Sequence, residues 1–130
     1  MKAEAADFLK KARHCLASAK GIAAAGFLDV AAGEAYFAVF HAAEAYIFER
    51  MGKAAKTHRG VRAQFGRLTQ HESSIDPDLV SFLTQGYDFK VIADYGIGET
   101  VRSISAEDTN LAVSTAERFI EQVLSLLAEL

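Results

Sequence analysis

Arg50, Lys53, Lys56, Arg59, Arg62 and Arg67 all fall between Glu49 and Glu72, a stretch with no acid, where His58 and His71 can add to the charge. The 130-residue chain as a whole carries 14 Lys and Arg against 17 Asp and Glu, a net charge of −3. A protein that bound nucleic acid over its whole surface would be basic overall, so any phosphate chemistry here must be local. Thr57 suits the N-cap of a helix carrying Val61, Phe65 and Leu68 at i, i+4 and i+7. A capped helix start offers backbone N–H groups and a positive dipole end, here beside Lys56, His58 and Arg59, which is the arrangement that holds a phosphate or an RNA backbone. The competing reading is an ordinary exposed helix start with basic decoration.

A second polar group lies downstream. From Asp76-Pro77, an N-cap followed by a first helical residue, a helix carries Leu79, Phe82, Leu83, Gly86, Lys90 and Ala93 on one stripe. Lys90 is the anomaly, with Gly86 clearing space one turn before it and Asp94 one turn after. A lysine aimed at a core must pair, lose its charge or reach a cleft, since an unpaired buried charge costs several kcal/mol. Either Lys90 snorkels and pairs with Asp94 for structure, or the helix lines a polar cleft containing Lys90, Asp94 and Tyr95.

Other chemistries lack their residues. The Glu-x-x-His pair of di-metal helical bundles does not occur, one cysteine cannot build Cys/His zinc spacing, and there is neither a glycine-rich phosphate loop nor a Gly-x-Ser-x-Gly elbow. No metal or other cofactor is therefore expected. Cys15 lies in an apolar helical row, where it reads as a small core residue, and the lone cysteine suits a reducing compartment. The charged N-terminus and the lack of a long apolar run point to a cytoplasmic protein away from membranes.

The elements that must position these groups are helical throughout. Ala5, Phe8, Leu9, Ala12, Cys15, Leu16, Ala19 and Ile22 form an amphipathic first helix that fades near Gly26, with Lys10, Lys11, Arg13 and His14 on its solvated face. The second helix should run from Asp29 as N-cap to Gly52 past its end. Its core stripe is Tyr36, Phe40, Ala43, Ile47 and Met51; Phe37, His41, Glu44 and Phe48 form a second, half-aromatic row, and the strip near Glu34, Ala38 and Glu49 is expected in solvent. Helices of the same domain or the matching helix of a second subunit could cover the second row. After Gly96 and Gly98, Ser105 begins a fifth helix with Ala112, Val113, Ala116, Phe119, Ile120, Val123, Leu124 and Leu127 on its apolar face. The expected fold is a single all-α domain over residues 1–130, a five-helix up-and-down bundle of two long antiparallel helices followed by three more.

The central run AYFAVFHAAEAYIF, the KTHRG at Lys56 to Gly60, the helix-four ending KVIADYG at Lys90 to Gly96 and the Ser-capped last helix together resemble a HEPN domain, most closely the small stand-alone prokaryotic kind. The resemblance covers nearly the whole chain. It implies a five-helix domain that commonly dimerises, binds RNA or nucleotides and often acts as a metal-independent ribonuclease, the toxin of a toxin–antitoxin pair whose antitoxin is a minimal nucleotidyltransferase. The family's catalytic signature, an arginine followed by a histidine near the end of helix four, falls here on Lys90 and Gly96. Lysine keeps the charge but loses the bidentate fork, and glycine carries no proton. Arg67 to His71 is one residue too short and lies in the wrong helix. The resemblance thus puts Lys90, with Asp94 and Tyr95, at the site; the capped basic helix start supplies Lys56, Thr57, Arg59 and Arg62 as its phosphate contacts, and, if the protein cleaves RNA, His58 or His41 is the expected replacement base. It makes Tyr95 the position that a nucleotidyltransferase partner would modify. The alternative is a non-catalytic helical dimer acting as a protein-interaction module through Phe37, His41 and Phe48.

Overall fold

The computed structural model describes residues 1–95 and 104–130, the side chain of Tyr95 excepted. Among these residues five helices follow one another: α1 Ala3–Ala24, α2 Leu28–Met51, α3 His58–Thr69, α4 Pro77–Tyr95 and α5 Ala106–Ala128. No strand occurs among the described residues, as expected for an all-α bundle, and none of their helices is long and apolar enough to cross a membrane.

α2 is the axle, touching all four other helices and packing most extensively on α1. Its alanines explain how. Ala31, Ala32, Ala35, Ala38, Ala42, Ala43 and Ala45 are all fully buried, and α1 answers with Ala5, Ala12 and Ala19, seven residues apart and equally buried. Methyl-sized side chains at such a repeat let two helices run close along their whole length, and alanine also has the best helix propensity. This corrects the expectation that the strip near Glu34, Ala38 and Glu49 is solvated. α1 closes over it, and Lys2 clamps its end, the backbone N–H donating to Glu49 Oε2 and the ammonium to the Glu49 carbonyl, each at 2.8 Å. Hydropathy ranks alanine below phenylalanine, but packing distance favours the smaller side chain at a helix crossing, so the aromatic row of α2 is left half-buried instead.

The other boundaries follow local chemistry. α2 begins at Leu28 with Phe27 in the N-cap position, so Asp29 is a first-turn acid facing the positive end of the dipole and not the cap. Gly52 ends α2 with φ of 72°, a left-handed conformation that costs glycine nothing. Asp76 accepts from the Asp78 N–H at 3.0 Å, and Ser105 from the Asp108 N–H at 3.0 Å. α5 fastens the bundle: Arg118 pairs with Asp76 at 3.1 Å, Lys20 with Glu117 at 3.0 Å, and the Thr109 hydroxyl donates to the Leu28 carbonyl at 3.2 Å. Behind these, Phe65 of α3 meets Phe119 of α5 and Tyr46 of α2 with ring centroids 5.2 and 5.8 Å apart.

Candidate functional site

The start of α3 is what brings α2, α3 and α4 together. Thr57 Oγ1 accepts from the Gly60 N–H at 2.9 Å, setting the first turn of α3. His58, its first residue, is thereby turned inward, and its Nδ1 lies 2.7 Å from the hydroxyl of the fully buried Tyr36. The imidazole sits among aromatic rings: centroids of Phe40, Tyr87, Tyr36 and Phe37 are 4.5, 5.2, 5.7 and 6.2 Å away. One turn on, the Arg62 guanidinium lies 5.4 Å over the ring of Tyr87.

Lys90 comes in from α4. Its ammonium is 3.1 Å from Asp94 Oδ2, with side-chain exposures of 16% for Lys90 and 48% for Asp94. The pairing with Asp94 is the first of the two readings of this lysine, which also acts electrostatically on His58. α4 crosses α2 closely at Gly33, where a Cβ would stand at ordinary contact distance, 3.7 Å, from the Lys90 Cα, so the approach does not require glycine there. Gly86 clears space for a different group from the one expected. A Cβ on it would stand 2.9 Å from both Tyr36 Cδ1 and Phe82 Cε1, so the glycine makes room for Tyr36 and not for Lys90.

On the other side of the ledge, His41 Nδ1 lies 2.7 Å from Glu44 Oε1, with side-chain exposures of 20% and 10%. The His41 ring packs on Phe40 and Phe37 at 5.5 and 6.1 Å, so both histidines flank the same two phenylalanines. His41 also borders a groove of about 630 Å³ along α1 that includes Phe8, Lys11, His14 and Cys15.

The charges act as one unit. Burial holds His58 below its ordinary value, and Lys90, Arg62 and, more weakly, His41 push it the same way, while Glu44 opposes them. Burial raises the Tyr36 phenol well above the ordinary tyrosine range, Arg62 opposes the shift, and Tyr87 and Glu44 add to it. The phenol therefore stays protonated. Among the described residues, no group of three or more His, Cys, Asp or Glu side chains is placed to hold a metal ion.

Of the residues singled out from sequence, the structure gathers His58, Arg62, Lys90, Asp94, Phe37 and His41 around this ledge. Lys56, Thr57 and Arg59 are exposed at the outer side of the α3 start. Phe48 is turned to α1, its ring 6.2 Å from that of Phe8. Tyr95 ends α4 with its side chain outside the described residues, as is Gly96 at the expected histidine position. Sequence reasoning placed Tyr36 and Phe40 only in the core, Glu44 only in an amphipathic row, and missed Tyr87 altogether. The signal for Tyr87 was its place three residues before Lys90, on a neighbouring face of the same helix.

A helical bundle that carries a histidine–tyrosine pair, two cations and a ring of aromatics on one face belongs to the all-α proteins whose sites are built between packed helices. The chain matches the family model of the HEPN domain over residues 5–126 and belongs to that family. Among curated proteins it is similar to a Methanocaldococcus jannaschii protein named "Putative toxin MJ0605", 28% identical over 100 residues, which are 77% of this chain and 71% of the relative. It is also similar to two proteins named only as UPF0332 proteins. The one from Archaeoglobus fulgidus is 28% identical over 88% of this chain and 87% of its own length. The other, from Thermotoga maritima, is 25% identical over 93% and 89%.

Proposed function

We propose that this chain is a HEPN-type RNA-binding protein and that the ledge formed by His58, Arg62, Tyr87 and Lys90 takes the sugar-phosphate backbone and a stacked base of single-stranded RNA. The observation that carries this reading is the convergence of Lys90, Arg62 and His41 on one imidazole enclosed by four aromatic rings, in a chain whose net charge is negative. Phe37, Phe40 and Tyr87 are half-buried, and cations beside such part-exposed rings bind single strands by backbone neutralisation and stacking, with little sequence preference. Lys56 and Arg59, exposed just outside, extend the basic surface along the strand's path. The relative named "Putative toxin MJ0605" supports a toxin–antitoxin setting; the resemblance to HEPN domains, not that name, is what adds a cytoplasmic location, a minimal nucleotidyltransferase as the opposing partner and Tyr95 as the residue it would modify. A second copy of the chain, packed on the half-buried Phe37 and leaving His41 open to the RNA, makes the working unit a homodimer, and RNA cleavage without metal is the activity that such a site would serve.

The test is retardation of a labelled single-stranded RNA at two salt concentrations, with Lys90→Ala and Arg62→Ala beside the parent. Binding should weaken steeply with salt, and each variant should bind several-fold more weakly and lower the salt dependence by about one phosphate contact. Salt-indifferent binding, or variants equal to the parent, would refute the reading. A second reading, a protein-interaction module, is favoured by the half-buried Phe37 and Phe40. Under it Phe37→Asp abolishes partner capture while Lys90→Ala leaves function intact.

A further inference from the structure

Two histidines share one ledge, and each has its Nδ1 engaged by a different kind of group. We propose that Glu44 and Tyr36 set His41 and His58 in opposite tautomers, so that His41 is the proton acceptor of the site and His58 its neutral hydrogen-bond donor. The inference rests on the RNA reading for its substrate and on the geometry alone for its tautomers.

A carboxylate has no proton to give, so the 2.7 Å contact with Glu44 Oε1 requires the proton of His41 to sit on Nδ1. Nε2 of His41 then carries a lone pair. A phenol can donate or accept, but Tyr36 is fully buried, with its ring packed against those of Phe37, Phe40 and Tyr87, so its hydroxyl has no solvent partner. Its proton needs an acceptor, and His58 Nδ1 at 2.7 Å is one. With Nδ1 accepting, the proton of His58 sits on Nε2. Charging His58 would turn Nδ1 into a donor and strand the phenolic proton among the rings. The groups that face His58 act with this geometry: Arg62 from its own helix and Lys90 from α4 oppose the charge, as does His41 from α2, and among the described residues Glu44 alone is seen to favour it.

The consequence for RNA is a division of labour. His41 Nε2 takes the proton of the ribose 2′-hydroxyl as its oxygen bonds to phosphorus and the bond from phosphorus to the 5′-oxygen breaks. His58 Nε2–H and the Lys90 ammonium stabilise the charge on the non-bridging oxygens. The departing 5′-oxygen takes a proton from water, and His41 returns its proton to solvent. The products are a 2′,3′-cyclic phosphate and a 5′-hydroxyl, with no oxidant, reductant or metal consumed. Glu44 and Tyr36 touch no substrate in this scheme; they are positioning residues.

The test begins with the ligand-free, full-length protein labelled with ¹⁵N in its histidines. Nitrogen–proton correlation spectra should show neutral His58 as the Nε2–H form and neutral His41 as the Nδ1–H form, and Tyr36→Phe should abolish the preference at His58 while leaving His41 unchanged. Either histidine in the reverse tautomer overturns the proposal. The second arm incubates a uridylyl-adenosine dinucleotide with the protein in excess chelator and follows the 2′,3′-cyclic phosphate. Glu44→Ala, which removes the acceptor, should abolish the Nδ1–H preference of His41 and lower the rate at least tenfold, whereas Glu44→Gln, which keeps an acceptor at the same place, should hold the tautomer. A tautomer or a rate unmoved by Glu44→Ala overturns the assignment of His41. Single-stranded RNA that is bound in the retardation assay but never cleaved overturns this inference and leaves the binding reading standing, whereas failure to bind at all removes both.

Discussion

Gly86→Ala tests the site's architecture through its tightest spot. The added Cβ would stand 2.9 Å from Tyr36 Cδ1, 2.9 Å from Phe82 Cε1 and 3.1 Å from Phe82 Cζ, all ring atoms. Tyr36 is fully buried and Phe82 is 4% exposed, so neither ring can swing into solvent. Two effects oppose each other. Alanine in a helix interior is worth about 1 kcal/mol over glycine, while overpacking a core site costs about 1–3 kcal/mol. Gly86→Ala should therefore lie between neutral and about 2 kcal/mol less stable. Gly21→Ala is the control, because nothing stands within 4 Å of the Cβ it would add on α1. There the propensity term acts unopposed, for a gain of up to about 1 kcal/mol. Urea unfolding of the two variants beside the parent gives the difference between them, and the ring-proton resonances of His58 report whether Tyr36 has moved. A Gly86→Ala protein as stabilised as Gly21→Ala, with His58 resonances unshifted, would refute the claim that Gly86 exists to seat Tyr36 under His58.

Thr57→Ala should cost about 1 kcal/mol in urea unfolding through loss of the Gly60 N–H cap, and should also broaden or shift the His58 ring signals, whereas Thr57→Ser should keep both. His58 has its proton affinity lowered by burial first, then by Lys90 and Arg62, from an ordinary value of 6.5. The unfolded chain then binds this proton more readily than the folded one, so the contribution to stability is complete above about pH 6.5 and is lost as pH falls through the depressed folded value. His58→Gln should flatten the fall in stability between about pH 7 and 5, and a parent that instead gains stability through this group on acidification would contradict the assignment. Cys15 has its thiol pushed up to about 11, by burial first and then by Glu34. It should react with a thiol reagent at pH 8 roughly 100-fold more slowly than an unperturbed cysteine, and Glu34→Gln should speed the reaction.

The caps, glycines and 3.6-residue apolar periods of this chain determined by themselves that there are five helices, where four of them start or stop to within a residue or two, and that Lys90 is out of place on an otherwise apolar stripe. These are local properties, fixed by backbone hydrogen bonding and side-chain size within one or two turns. The sequence also showed a basic stretch, but not that His58 and Arg62 turn inward while Lys56 and Arg59 stay out. That division depends on Thr57 fixing the phase of α3 and on Tyr36 offering a hydroxyl from a helix 22 residues earlier. Which face of α2 is tightly covered was likewise undecidable from periodicity, because Ala38 and Phe37 differ in what can approach them and not only in hydropathy. Tyr87 and Gly86 acquire their roles only when α4 is laid against α2, since a ring and an absent methyl matter to each other at 3 Å and nowhere else along the chain.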